Sequence, residues 1–411
     1  MSILSDVNDS LNFDKSFLDP DTFIMRIAFV TSGGAVKAAC FHVGVCLALQ
    51  EKGYVFQGGS PDHPRYPSST PNLIDIYVGS SAGSFISSFL ASGFSLEDIL
   101  TSFAEQNRKG KGLKKITYWQ MFHFGLPHWE TPLKLFSKKR VVSATGGVEA
   151  LLRNYLFMTG LASTKGIEKY LSSVLPYNHF NELAADLFIV ATQLNHSKRT
   201  VFGKFSSLQY LTEGDTCDYT DAVNISQAVA ASASLPPFYR PYRVKYKNGR
   251  IEDFFDGEIR KTLSTHVAKD VGADLIIASY THQPYHYSKE VGSLADFGMT
   301  PILTQAIYQT IEQKIAINRR YHNKKAVVIE TVDQFFKEHQ LPDAKRKTIV
   351  ELLEQKLDYR PNLRYLYIHP QPNNYEMFFG DHFNLSPKVM EAQMKIGFKS
   401  ALQALRRFET S

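Results

Sequence analysis

The chain has 411 residues, 44% of them hydrophobic and 21% charged, with a formal net charge of +6. Those proportions supply a buried core and exclude a disordered or fibrous polymer. The mild excess of base favours anionic surfaces without choosing between nucleic acid and membrane.

Three cysteines, Cys40, Cys46 and Cys217, are too few for a disulfide framework, and no CxxC pair points to zinc or redox chemistry. A reducing compartment follows as the simplest expectation. Residues 1–22 form a polar lead-in with neither a basic start nor an apolar stretch, which is not the pattern of a secretory signal. No window approaches the run of about 18 apolar residues that a spanning helix needs. The expected location is the cytoplasm or the face of a membrane, with signal-independent export left open.

In chain order, residues 23–31 (FIMRIAFVT) read as a buried strand ending in Ser32-Gly33-Gly34, and residues 36–49 read as a helix. A second buried strand at 74–78 runs into Gly79-Ser80-Ser81-Ala82-Gly83 and a helix through residue 90. Strand, tight turn and helix, twice over, predict an α/β fold with a mostly parallel sheet covered on both faces. Further strands are expected at 187–191, 251–255 and 275–279, with helices near 147–157 and 166–175. Residues 106–140 break the rhythm, carrying nine Lys and Arg against the single acid Glu130, with both tryptophans. In the C-terminal part a helix is expected from 300 to about 321, because Pro301 suits a first helical turn. A charged helical stretch at 333–357, a strand at 363–368 and an amphipathic helix at 386–408 complete the pattern.

The first chemical candidate is Ser81. Its GxSxG turn sits between an apolar strand and a helix, the context in which glycines allow a strained elbow to present a nucleophilic hydroxyl. The alternative is a Gly/Ser turn that caps a helix. The loop at Gly33 and Gly34 has the same strand-to-helix context, so its N–H groups suit an oxyanion or, equally, a phosphate. There is no GxxxxGK[ST] and no GxGxxG with a spaced acid, which argues against nucleotide binding. Lys37 is placed either to add charge to that loop or to sit on the surface.

A serine nucleophile needs a base. None of the 13 histidines has a persuasive setting. His42 and His266 fall within expected helices, and His282 and His286 in a Tyr- and Pro-containing loop. Asp256 closes a strand (IEDFF) and precedes Gly257, where a carboxylate can approach a hydroxyl and burial can raise its pKa. Read alone, it is also an ordinary Asp-Gly turn.

Together, the Ser32–Lys37 loop with Gly44-Val45, Gly79-Ser80-Ser81-Ala82-Gly83, the segment 231–238 (ASASLPPF) and Asp256-Gly257 resemble the patatin-like phospholipases. LFIVATQLN at 187–195 and HVAKDVGADLIIAS at 266–279 resemble the same family. The pieces stand in family order across residues 24–280. The resemblance implies a three-layer α/β/α catalytic domain at 23–325 and a C-terminal extension at 326–411 packed on it. It further implies a Ser81–Asp256 dyad without histidine, an oxyanion hole at Gly33, Gly34 and Ala35, and no cofactor or metal. Departures from the family pattern are Ser32 in place of a first Gly, Ala38 after Lys37, and Glu258 where Gly or Ala usually follows Asp-Gly.

The implied activity is that of a phospholipase A or lysophospholipase acting through an acyl-enzyme. Acyl transfer by the same dyad and a catalytically silent lipid-binding protein of the same fold are the alternatives. A Ser-His-Asp hydrolase is a fourth reading. Lys109, Lys111, Lys114, Lys115, Trp119 and Trp129 make residues 106–140 a candidate lid or docking segment for anionic membrane. With no nucleic-acid-binding fold beside it, that segment is not expected to bind nucleic acid.

Overall fold

The structure, a computed structural model, describes residues 25–103, 113–123, 162–204, 217–260 and 262–410. Strand β1 (Ile27–Thr31) leads to helix α1 (Ala35–Glu51), then β2 (Val55–Phe56), β3 (Leu73–Gly79), α2 (Ala82–Ala91), α3 (Leu96–Phe103) and α4 (Tyr118–Met121). Helix α5 (Lys165–Val174) precedes β4 (Asp186–Gln193), β5 (Arg199–Gly203) and β6 (Cys217–Thr220). Next come α6 (Ile225–Ser232), β7 (Tyr242–Lys245), β8 (Ile251–Asp256), α7 (Thr265–Asp270) and β9 (Leu275–Ser279). The C-terminal part holds α8 (Met299–Glu338), α9 (Asp343–Lys356), β10 (Arg364–Ile368), α10 (Tyr375–Phe379) and α11 (Pro387–Glu409).

The strands form one sheet in the order β10-β9-β1-β3-β4-β5-β6, with β8 also pairing β4 and β7 pairing β8. From β10 to β4 every neighbouring pair is parallel. Both β5 and β8 run antiparallel to β4. The alternation of strand side chains divides the core into two layers. Ile27 and Phe29 of β1 face a cluster built with α1, α2 and α11. Ala28 and Val30 face the opposite cluster, with Val267 and Ala268 of α7 and Ile311 and Ile315 of α8. The mostly parallel sheet with helices on both faces agrees with the expected α/β architecture.

The C-terminal part is tied to both layers. Strand β10 extends the sheet beyond β9, and α11 lies along α1. Where α1 and α11 cross, a Cβ on Gly44 would stand 2.0 Å from the Met394 carbonyl oxygen, and one on Gly397 would stand 2.1 Å from that of Phe41. Each helix needs a glycine for the other's backbone to come this close. Gly397→Val is therefore expected to cost about 3 kcal/mol, the upper range for overpacking a tight contact. Denaturant unfolding measures the loss. A cost under about 0.5 kcal/mol would mean that the crossing is not tight.

Helix α8 departs from expectation by running unbroken to Glu338, and the separate helix begins only at Asp343. The chain from 322 to 338 contains no Gly or Pro, so nothing ends the helix until His339 caps it. The lead-in at 1–22, the expected helix at 147–157, and Lys109, Lys111 and Trp129 lie outside the described residues.

Candidate active site

Three loops meet at one edge of the sheet. The parallel register places Thr31 of β1 beside Gly79 of β3, so the glycine loop and the serine turn leave the sheet side by side. Asp256 pairs with Ala191 near the end of β4, the neighbour of β3. The parallel pairing of β1 and β3 brings the glycine loop and the serine turn together, and the antiparallel pairing of β8 with β4 adds Asp256 to them.

Ser81 has φ 50° and ψ −121°, a positive φ that a side chain ordinarily avoids, and it stands immediately before α2. Such strain persists only where neighbours hold it. One restraint is Ser232 at the end of α6. The Ser81 N–H donates to Ser232 Oγ at 2.8 Å, and the Ser232 hydroxyl donates to the Val190 carbonyl at 2.6 Å. This relay fastens the elbow to β4. Ser232 lies in the ASAS segment of the sequence, but no feature of that segment marks it as the residue that holds the turn.

The Ser81 hydroxyl hydrogen-bonds the Asp256 carboxylate. Asp256 is buried, and desolvation pushes its carboxyl up to about 6 against the opposing hydrogen bonds from the Glu258 N–H and Ser81. The Glu258 N–H donates to Asp256 Oδ1 at 2.9 Å, while the Thr192 hydroxyl donates to the Asp256 carbonyl at 3.1 Å. An aspartate held in this way is ionised near neutral pH yet basic enough to take a proton.

The glycine loop turns through Gly34 (φ 127°) and Ala35 (φ 56°) into α1. Helix N-termini leave N–H groups without intrahelical acceptors. Gly33 lies against the elbow, and a Cβ there would come within 2.9 Å of Ser81 Cβ. Its N–H, however, already donates to Glu258 Oε1 at 3.2 Å. Glu258 also accepts from the Leu263 N–H, at 3.3 Å, and from the Ser80 hydroxyl. The Gly33 N–H is therefore already engaged by a buried carboxyl. Burial, aided by the adjacent Asp256 charge, raises Glu258 to about 8.

Lys37 is fully buried and turned toward the C-terminal part, donating to the Met377 carbonyl at 2.7 Å and to the Tyr308 hydroxyl at 3.3 Å. Desolvation lowers it to about 7 despite the nearby charge of Asp381. Its backbone N–H bonds the His382 carbonyl at 3.3 Å. The amine therefore anchors α1 to α8 and α10.

His42, His282 and His382 contact groups other than Ser81. His42 bridges Ser279 Oγ at 2.8 Å and the Ser32 carbonyl at 2.9 Å beneath the glycine loop. His282 meets the edge of the Tyr308 ring, and His382 Nε2 pairs with the Tyr308 hydroxyl at 3.0 Å. His266 lies on α7.

At the edge of the site, Phe122 stacks on Tyr239 and meets Phe383, which also contacts half-exposed Phe238. Of the six residues named in the basic aromatic segment, Lys114, Lys115 and Trp119 are described, and Trp119 is 80% exposed. Tyr118 is anchored by the Leu385 N–H at 3.0 Å. Among the described residues, no helix is long and apolar enough to cross a membrane.

No curated protein matches the chain. Among solved structures, it is similar to the crystal structure of VipD from Legionella pneumophila, with 16% identity and a TM-score of 0.38 over 94% of this chain and 67% of that one. The sequence matches the patatin-like phospholipases over residues 29–269, more than half its length and spanning the glycine loop, Ser81 and Asp256. The chain belongs to the patatin-like phospholipase family, a family of lipid acyl hydrolases.

Proposed function

We propose that the protein hydrolyses fatty-acyl esters of phospholipids or lysophospholipids with Ser81 as nucleophile and Asp256 as base. The observation that carries this reading is the Ser81 hydroxyl bonded to a buried carboxyl raised to about 6, on an elbow with positive φ. Asp256 takes the proton as Ser81 Oγ attacks the acyl carbonyl. The tetrahedral oxyanion is held at the glycine loop by N–H groups of Gly33, Gly34 and Ala35. The protonated Asp256 then gives its proton to the leaving alkoxide, and the acyl-enzyme forms. Water, deprotonated by the same carboxylate, releases the fatty acid and restores the serine.

A specific observation favours a second reading. Glu258 on the Gly33 N–H fits a lipid-binding protein that keeps the fold without turnover. Incubation with mixed phospholipids, followed by mass spectrometry of products, separates the two. Free fatty acid and lysophospholipid in equal amounts, absent with Ser81→Ala, are expected. Intact lipid recovered in complex with the protein favours the silent reading, and acyl chains moved to another acceptor favour transfer. Exposed Trp119, with Lys114 and Lys115 beside it, supports peripheral contact with an anionic membrane.

A further inference from the structure

Helix α8 carries apolar residues on two opposite faces. Its buried residues are Tyr308, Ile311, Ile315 and Ile329. Counted from Met299 at about 100° per residue, they fall between about 120° and 180° around the axis. Met299, Ile302, Leu303 and Ile307 are all exposed, and they fall between about 300° and 80°, on the far side. The stripe continues along the same arc through Ile317, Tyr321 and Val328, also exposed. A solvent-facing stripe of a water-soluble helix is ordinarily polar.

The charges on this face are one-sided. Between Glu312 and Glu330 the helix has Lys314, Arg319, Arg320, Lys324 and Lys325 and no acid. Lys314, Arg320 and Lys324 lie within the arc of the apolar stripe, Lys325 at its edge, and both glutamates fall at about 220°, outside it. Arg319 is engaged elsewhere, over the Tyr367 ring. Apolar side chains interspersed with cations make the composition of a helix that lies in a lipid headgroup layer.

The helix is also coupled to the site. Tyr308 holds Lys37 on α1, and Lys314 Nζ donates at 3.0 Å to the carbonyl of Ile259, three residues beyond Asp256. Ahead of the helix, half-exposed Phe297 packs on Phe379. In the loop that follows Phe379, His382 bonds Tyr308, while Phe383 and Leu385 reach the aromatic edge beside Trp119.

We propose that the exposed stripe of α8, from Met299 to Val328, docks on an anionic bilayer and fixes the catalytic edge against it. The choice of a lipid surface over a protein partner rests on the lipid-hydrolase reading and on the charge complementarity of the stripe. Docking keeps α8 whole, because the stripe is turned away from the residues that pack into the core.

The test uses the full chain with Leu303→Asp/Ile307→Asp and, separately, Arg320→Glu/Lys324→Glu. Both pairs are exposed and lie outside the catalytic loops. Vesicle binding is measured in the Ser81→Ala background so that the lipid stays intact. Vesicles of phosphatidylserine and phosphatidylcholine are expected to bind the parent protein, and pure phosphatidylcholine far less. Each pair should weaken binding at least tenfold, while the same pairs with Ser81 intact keep their rate on a soluble short-chain ester and their melting temperature. Undiminished binding in both pairs overturns the proposal. So does a concentration-dependent dimer abolished by the apolar pair, without vesicle binding, which assigns the stripe to a second copy. Stripe-dependent binding by a protein that hydrolyses no ester leaves the docking face standing and removes the hydrolase reading instead.

Discussion

Ser81→Ala and Asp256→Asn are each expected to lower kcat/KM on a soluble short-chain ester by about 10⁴-fold, and the double variant no further than either single one. A nucleophile and its base act as one unit, so removing the second member after the first costs little more. Asparagine matches aspartate in shape but accepts no proton, so the Ser81 hydroxyl would remain in place without activation. The pH dependence adds a second mark. Asp256 must be ionised to act, and burial holds it at about 6, so the parent rate is expected to rise through that pH. The native carboxyl binds its proton more tightly than the unfolded one does. This group therefore makes stability decline as pH rises from the ordinary aspartate value toward 6. Asp256→Asn should remove that decline while the fold melts as one transition. An Asp256→Asn enzyme with most of its activity, or additive losses in the double variant, would move the base to another residue.

The framework of this site is legible in the sequence because its parts are local. Apolar runs ending in Gly-rich turns mark β1 and β3, and Asp256-Gly257 after the strand IEDFF marks β8. Each expectation needed about ten consecutive residues. The parallel pairing of β1 and β3 then brings the first two turns to one edge, and the antiparallel pairing of β8 with β4 adds the third. The antiparallel β5–β8 region was less visible: only β8 was expected, since β7 is short and β6 is polar.

Long-range contacts gave no local sign. Lys37 stands at a helix start, where a lysine is ordinarily exposed, yet it is covered by residues 271 and 340 positions away. The acceptor of the Gly33 N–H in the glycine loop, Glu258, is 225 positions away. Its departure from the family's Gly or Ala was readable, but the direction of its side chain was not. Likewise, α8 showed its starting proline, and its apolar outer stripe became meaningful only when the inner face was seen to be occupied.

Glu258→Gly is expected to raise kcat/KM on the soluble ester by up to about 10²-fold, with the largest gain above pH 8. Loss of a single oxyanion donor costs other hydrolases about 10²–10³-fold, so release of a donor held by an internal carboxyl returns a comparable factor. In the proposed mechanism the Gly33 N–H is such a donor, and it is bound at 3.2 Å to Glu258 Oε1. With Glu258 raised to about 8, its carboxyl is largely neutral at pH 7 and becomes ionised through the next two pH units. Ionisation strengthens its hold on the N–H and sets a negative charge where the tetrahedral oxygen must develop another. The parent rate should accordingly fall through about pH 8. Glycine removes both occupant and charge, whereas Glu258→Gln keeps an occupant and removes only the charge. The glutamine variant is thus expected to lose the alkaline decline without the full gain. Thermal melts of both variants separate these effects from unfolding, because the Leu263 N–H loses an acceptor in the glycine variant. A folded Glu258→Gly enzyme slower than its parent, with the alkaline decline intact in the glutamine variant, would instead make Glu258 a support that holds the Gly33 turn in shape.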